Sequence, residues 1–461
     1  MFSTLAGRFL TWFVTAAGEA LVGKAVEEGW DTVKEKAAQG KAARIGAGED
    51  DAQASARPDA PDTPDATRDE NPDENAAINR NRGDQYMESR RFQDALSAYQ
   101  AATELEPQNP VNYDKQARAF AALENYTKAF NQSVQAIAFA EAHNAPKAQY
   151  YFNKGLALYL LKDYSAASKA FERALDIQSE EPFRFQSERS LYCVGFAAAQ
   201  FSDGRVERAL AMIRKELKSD KNNPLLHSLL GIMLMGNPAA ETSENEAKSE
   251  FEQATSFDPK NALYHYLLGM TLYQLDDEGA EEELERAAQL DDNNAEYHYS
   301  YGMYGNGGWE ELQRAAQLDD NNAEYHYRFG EALLEGDNYE EAAEEFEKAT
   351  QRASKDDAKY HDNLAEYYDS LSSALAFDGQ LEKALEASKH AVNLDSQNIA
   401  YHFNYAWRLR DLNKNDEAER AFQETIKLSG SSSNAISELC HSFILGLKAQ
   451  KRRKEKAEES K

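Results

Sequence analysis

The chain has 461 residues, 42% of them hydrophobic, and a formal charge of -29 at pH 7 from 80 acidic and 51 basic side chains. That is enough apolar material for a core. The charge disfavours nucleic acid and anionic lipid as partners and favours basic partners, plain solubility or a salty environment. Two cysteines, Cys193 and Cys440, cannot form a disulfide framework, and a reducing compartment suits them.

The chain opens MFSTLAGRFLTWFVTAAGEALVGKAVEEGW, in which the uncharged run from Phe9 to Gly18 is half of what a spanning helix needs. Read as a signal peptide it has only Arg8 as a basic region and a poor cleavage pattern. The apolar pattern also continues through Ala25, Val26, Trp30 and Val33. Residues 1–45 are therefore expected to be an amphipathic helical segment. Residues 1–35 would contact a partner, another copy of the chain or, shallowly, a membrane. The expected location is cytoplasmic, at most peripheral to a membrane, with export left open. Residues 46–75 are rich in Pro, Asp and Ala without an aromatic residue, and read as a disordered acidic linker.

From 76 to 429 the pattern is helical and it repeats. Gly83, Tyr86, Ala95, Tyr99, Ala102 and Pro107 stand at offsets 0, 3, 12, 16, 19 and 24. Gly155, Leu158, Ala167, Phe171 and Ala174 keep these offsets, as do Gly330, Leu333, Ala342, Phe346 and Ala349. Ten small-residue marks follow in series: Gly83, Ala117, Gly155, Gly195, Gly231, Gly269, Gly302, Gly330, Ser372 and Ala406. The pattern resembles the tetratricopeptide repeat, a helix–turn–helix of about 34 residues. The resemblance implies an all-α, right-handed superhelical solenoid of helical hairpins. In it the small marks and the first alanines of the second helices (Ala95, Ala167, Ala280 and Ala342) allow close helix approach.

The intervals between marks run 34, 38, 40, 36, 38, 33, 28, 42 and 34. The fourth and fifth units carry insertions before their second helices, and the interval of 42 implies extra helical residues around 351–364. The interval of 28 joins two identical lines, RAAQLDDNNAEYHY at 286–299 and at 314–327. The seventh unit, between Gly302 and Gly308, has GMYGNGG where the end of a first helix and its turn belong, and glycine disfavours helix by about 1 kcal/mol relative to alanine. It reads as a stunted repeat, either a hinge between its neighbours or a tolerated deletion after duplication.

His265, His298, His326 and His402 each stand four residues before a mark, and His227 does so in the fifth unit. Successive histidines are a whole repeat apart, roughly 10 Å against a coordination distance near 2 Å, so no metal site is expected. By resemblance they occupy a packing position between helices. The residues after them, Tyr266, Tyr299, Tyr327 and Phe403, would line a concave groove. Met270, Met303, Glu331 and Trp407 stand one turn further on the same face. Aromatic rings exposed in register suit a peptide-binding surface.

In the first three units the family positions that grip an acidic carboxyl terminus hold Arg80, Asp84, Lys115, Gln149 and Asn153, an incomplete basic set with Asp84 of the wrong sign. Acidic runs such as DDEGAEEELE instead suggest a ligand carrying Lys or Arg. At 430–449, Ile436, Leu439, Cys440, Phe443, Ile444 and Leu447 share one face of an expected capping helix, started by Asn434 or a neighbouring serine. Residues 450–461 read as a charged tail that frays. No phosphate loop, zinc cluster or nucleophile elbow stands in the sequence. The expectation is a non-catalytic scaffold or adaptor without a cofactor, binding a protein or peptide along its groove. The alternative is an assembly or chaperone-like helper that binds clients transiently.

Overall fold

The computed structural model describes residues 72–180, 186–237, 243–353, 363–429 and 435–459. The N-terminal segment, the linker up to residue 71, the turn containing Asn434 and residues 354–362 of the expected longer helix lie outside the described residues.

The chain divides into two compact units, Met1–Pro259 and Lys260–Lys461. In the first, five hairpins follow one another: α1 (Pro72–Glu88) with α2 (Phe92–Leu105), α3 (Pro110–Ala122) with α4 (Tyr126–Ala142), α5 (Ala148–Leu160) with α6 (Tyr164–Glu180), α7 (Gln186–Ser202) with α8 (Val206–Ser219), and α9 (Pro224–Met235) with α10 (Ser243–Phe257). The second holds α11 (Ala262–Gln274) with α12 (Ala280–Leu290), α13 (Ala295–Tyr304) with α14 (Gly308–Leu318), α15 (Ala323–Glu335) with α16 (Tyr339–Ala353), α17 (Leu364–Phe377) with α18 (Leu381–Leu394), and α19 (Ile399–Asp411) with α20 (Asn415–Ser429). A last helix, α21 (Ala435–Glu459), packs on α20. The architecture is an all-α array of helical hairpins, and every small-residue mark falls on the first helix of its hairpin.

The spacing of sixteen between mark and ring has a direct steric cause. A methyl group on Gly83 would meet the Tyr99 ring at 2.2 Å, on Gly155 the Phe171 ring at 2.7 Å, and on Gly330 the Phe346 ring at 2.8 Å. Phe171 also presses on the next mark, Gly195, at 2.7 Å. In the sixth and seventh hairpins Leu284 and Leu312 replace the ring and still stand 2.8 and 2.9 Å from methyls built on Gly269 and Gly302. Ala95, Ala167 and Ala342, on the facing helices, are fully buried. Ala280 differs: as the first residue of α12, after Gly279, it is only half-buried, because the short sixth turn leaves it at a helix end.

Two local devices start and stop the first helices. The side chains of Asn109, Asn223, Asn261, Asn294, Asn322 and Asn398 each accept a backbone N–H of the first turn. Such a cap is worth about 1 kcal/mol. At the other end the backbone turns left-handed at Arg90, Glu124, Lys162, Asp276, Asp337, Gly379 and Asn413. The next N–H closes back onto a carbonyl five residues earlier, as from Arg91 to Tyr86 at 2.8 Å and from Lys414 to Leu409 at 2.9 Å.

The seventh hairpin lacks that turn. Its first helix has 10 residues against 13 in α11 and α15, about 4.5 Å less rise, and Gly305 to Gly307 make the link. The Tyr301 ring lies over Gly305 and Gly307, so the shortened hairpin stays covered.

Both boundaries of the expected domains differ from the sequence reading. The first helix begins at Pro72, inside the stretch assigned to the linker, with proline at a first-turn position where its missing N–H costs nothing. At the other end α21 runs to Glu459 through the stretch expected to fray. Lys448 pairs with Glu419 at 3.2 Å and Lys451 with Asp416 at 2.9 Å, which ties the helix to α20. Cys440, Ile444 and Leu447 are buried under it, whereas Leu439, expected on that face, is exposed. Among the described residues no helix is long and apolar enough to cross a membrane.

Candidate interaction surface

The first helices of the second unit carry the expected stripe, and the structure divides it. Tyr266 and Tyr327 are each only 2% exposed, and Met270 is buried with them. Tyr299, Met303, Glu331, Phe403 and Trp407 are half-buried. The reason is the next hairpin. Tyr266 packs at a tilt against Tyr297 at 5.1 Å, Tyr299 against Tyr325 at 4.9 Å, and Tyr327 against Tyr367 at 4.6 Å between ring centres. Each pair bridges consecutive first helices, so these rings seal the seams between repeats. Phe403 and Trp407 are covered from another side, by Phe443 of α21, with the Trp407 and Phe443 centroids 4.7 Å apart. The expected row of exposed rings is thus a packed row with openings.

One turn before the rings runs a row of carboxylates, of which Glu296 and Glu366 are exposed and Glu324 is half-buried. Glu296, Glu324 and Glu366 hold the same register in α13, α15 and α17, six residues before their marks. Glu296 accepts the hydroxyls of Tyr266 at 3.3 Å and Tyr325 at 2.9 Å. Glu324 accepts that of Tyr367 at 2.9 Å, and Glu366 that of Tyr327 at 3.2 Å. Burial, then the neighbouring carboxylates, push the phenols of Tyr266, Tyr325 and Tyr367 far above their ordinary value, so they stay donors. Arg328 enters this row and donates to Glu324 at 2.8 Å and Glu331 at 2.7 Å. Further along, burial raises the Asp369 carboxyl, while Asn404 donates to both its oxygens at 2.9 and 3.0 Å.

Two further rings, one exposed and one half-buried, were missing from the sequence reading. Tyr273, at the end of α11, is 49% exposed and packs at a tilt against the half-buried Tyr304 at 4.6 Å. Tyr304 meets Tyr299 edge-on at 6.5 Å. Periodicity places Tyr273 one turn beyond Met270, a signal available from the sequence. Its exposure depends on the shortening of α13.

His265, His298 and His326 are buried, each with Nδ1 against a glutamate of its own second helix: Glu283 at 2.6 Å, Glu311 at 2.5 Å and Glu345 at 2.7 Å. His227 repeats the pairing with Glu250 at 2.6 Å. Burial works against a charged His227, yet Glu250 and the Lys221 carbonyl outweigh it and raise its pKa. For Glu345 burial favours the neutral form, and hydrogen bonds from His326 and Lys348 win, lowering its pKa. His402 is half-buried and its Nε2 lies 3.1 Å from the Ser396 carbonyl. These side chains lie inside their hairpins rather than on a shared surface.

In the first unit the cations at the family's anion-gripping positions are occupied. Lys115 is paired with Asp84 at 2.6 Å, and Asp84 also receives the Tyr99 hydroxyl at 2.7 Å. Arg80 pairs with Glu106, and Asn153 donates to Asp114 at 2.7 Å beside Arg118. Desolvation, then Arg118, lowers the Lys115 ammonium below its ordinary pKa.

The family models described as Tetratricopeptide repeat match residues 76–109 and 148–180, and a second such model matches 310–358. A curated relative, RNA polymerase II-associated protein 3 of Xenopus tropicalis, is 31% identical over 104 residues. That stretch is 23% of this chain and only 15% of the relative's length. Among solved structures, yeast Tom70 is 14% identical, with 83% of this chain and 97% of that one covered and a TM-score of 0.33. Pseudomonas aeruginosa pilF is 18% identical, with 50% and 97% covered and a TM-score of 0.39. The family models thus find tetratricopeptide repeats in three stretches of this chain, and a helical hairpin of the same kind stands at every mark.

Proposed function

We propose that the chain is a cytoplasmic scaffold or adaptor that binds a basic peptide segment along the first helices of its second unit. One observation carries the reading: Glu296, Glu324 and Glu366 repeat in register, each accepting a tyrosine hydroxyl, with Glu331 and Asp369 nearby. Arg328 neutralises only part of that row. Lysine or arginine side chains laid along it would meet carboxylates whose geometry tyrosine hydroxyls already fix. The buried, unpaired thiols of Cys193 and Cys440 fit a reducing compartment. Nucleic acid is a poor partner for so acidic a surface. Residues 1–35 supply a second contact, with a partner, another copy or a membrane surface.

Fluorescence anisotropy of labelled twelve-residue peptides, one basic and one acidic, tests the reading on the full chain. The basic peptide should bind and weaken by about tenfold as salt rises from low to high ionic strength, because screening shortens to a few ångströms. E331Q combined with E366Q should weaken it further. Equal binding of both peptides, or no response to salt, would reject the proposal. Affinity capture separates a scaffold, with few stoichiometric partners, from a helper that retains many unfolded clients.

A further inference from the structure

We propose that Glu296, with the rings of Tyr299 and Tyr304, is a subsite for one arginine side chain of the bound segment. The inference rests on the scaffold reading above and names the anchor that reading lacks. Its starting point is the duplicated line: the two copies are identical through Tyr299 and Tyr327 and part at the next residue, Ser300 in one and Arg328 in the other.

In the eighth hairpin Arg328 bridges Glu324 and Glu331, and its guanidinium carbon lies 5.1 Å from the centre of the Tyr327 ring. The corresponding residues of the seventh hairpin are Glu296, Met303 and Tyr299. The carboxylate and the ring are kept, and the cation is gone. The chain covers an inner ring in the same way in its tenth hairpin, where Arg410 lies 3.9 Å above the Trp407 ring.

Glu296 is exposed, and among the described residues its side chain accepts two tyrosine hydroxyls and forms no ion pair. Tyr304 ends the shortened α13, one turn before its neighbours end, and the half-exposed Tyr273 ring packs against it at a tilt, 4.6 Å between centres. The exposed Tyr273 ring and the half-buried Tyr299 and Tyr304 rings, beside a carboxylate without an ion pair among the described residues, make a surface that recognises a cation. Arginine fits better than lysine, because a planar guanidinium can stack on a tyrosine while its edge donates to a carboxylate.

The test uses the full chain labelled with 13C-tyrosine and titrated with N-acetyl-arginine methylamide and with its neutral citrulline counterpart. The arginine compound should shift the Tyr299 and Tyr304 ring signals saturably, with the citrulline compound about tenfold weaker. E296Q, with unchanged circular dichroism, should weaken the arginine response by a similar factor. Should E296Q disturb the helices, Y273S alters a half-exposed ring instead and should weaken the response about threefold. Equal responses to both compounds, or an unchanged response in E296Q and Y273S, would overturn the subsite. The two proposals fail separately. A basic peptide that binds with salt dependence but ignores replacement of its arginines by citrulline removes the subsite and leaves the scaffold standing. An arginine response at Tyr299 without any peptide binding does the reverse.

Discussion

The contact between mark and ring yields a quantitative prediction for Gly330. Alanine there gains about 1 kcal/mol of helix propensity inside α15. Its methyl would also stand 2.8 Å from the Phe346 ring, which is fully buried and packed against Tyr327 at 5.6 Å. Overpacking of this kind costs roughly 1–3 kcal/mol, so G330A should destabilise its hairpin by about 1 kcal/mol net. F346L alone should cost about 1 kcal/mol through lost burial. The double variant should lose about the sum of the two, because the leucines at this contact in the sixth and seventh hairpins stand just as close, 2.8 and 2.9 Å, to a methyl on the mark. Gly446, in α21, is the control: a methyl there meets nothing within 4 Å, so G446A should stabilise by up to about 1 kcal/mol. Amide hydrogen exchange in α15, α16 and α21 is the proper readout, since long arrays unfold in parts and a single midpoint would mix them. Protection in G330A equal to or above wild type would refute the steric account of the mark.

Other expectations concern pH, the stunted repeat and the two ends. The His227 pKa is raised, so its pairing with Glu250 contributes fully below the unfolded value near 6.5 and is lost as pH rises through the higher folded value. An NMR titration should place the ring above 6.5, and E250Q should bring it down; a ring titrating at or below 6.5 in the wild type contradicts the pairing. Residues 300–308 should exchange faster than α11 and α15 if the missing turn works as a hinge, and protection equal to those helices rejects the hinge. F443A should expose Trp407, shift its fluorescence to the red and cost about 2 kcal/mol in the last hairpin; an unmoved spectrum would mean the cap does not cover that ring. Light scattering on the full chain and on one beginning at residue 76 tests self-association through the N-terminal segment, and equal monomer masses reject it.

A substitution series at Tyr266 and Tyr327 would report on packing rather than on ligand contact, because each ring is sealed by a tyrosine of the following hairpin. Tyr273, Glu296, Glu366 and Tyr304 are the better probes. That revision separates two kinds of information. Offsets of 3, 12 and 16 state which face of its own helix a residue occupies, and the partners that set those offsets, such as Gly83 and Tyr99, lie within one hairpin. Local periodicity was therefore sufficient for the all-α hairpin fold. The asparagine caps were equally local and were readable in the DNNAE lines.

Exposure is a different quantity, because it belongs to the space beyond the helix face. Whether a ring in α11 or α15 is open depends on which ring the next hairpin brings against it, and Phe403 is covered by Phe443, forty residues further along the chain. The tyrosine hydroxyls that hold Glu296, Glu324 and Glu366 also come from neighbouring repeats. The sequence alone determined that helices would pair and where each pair would meet. Tertiary packing decided which aromatic residues became core and which carboxylates were left facing outward, since burial is set by neighbours that no single helix period encodes.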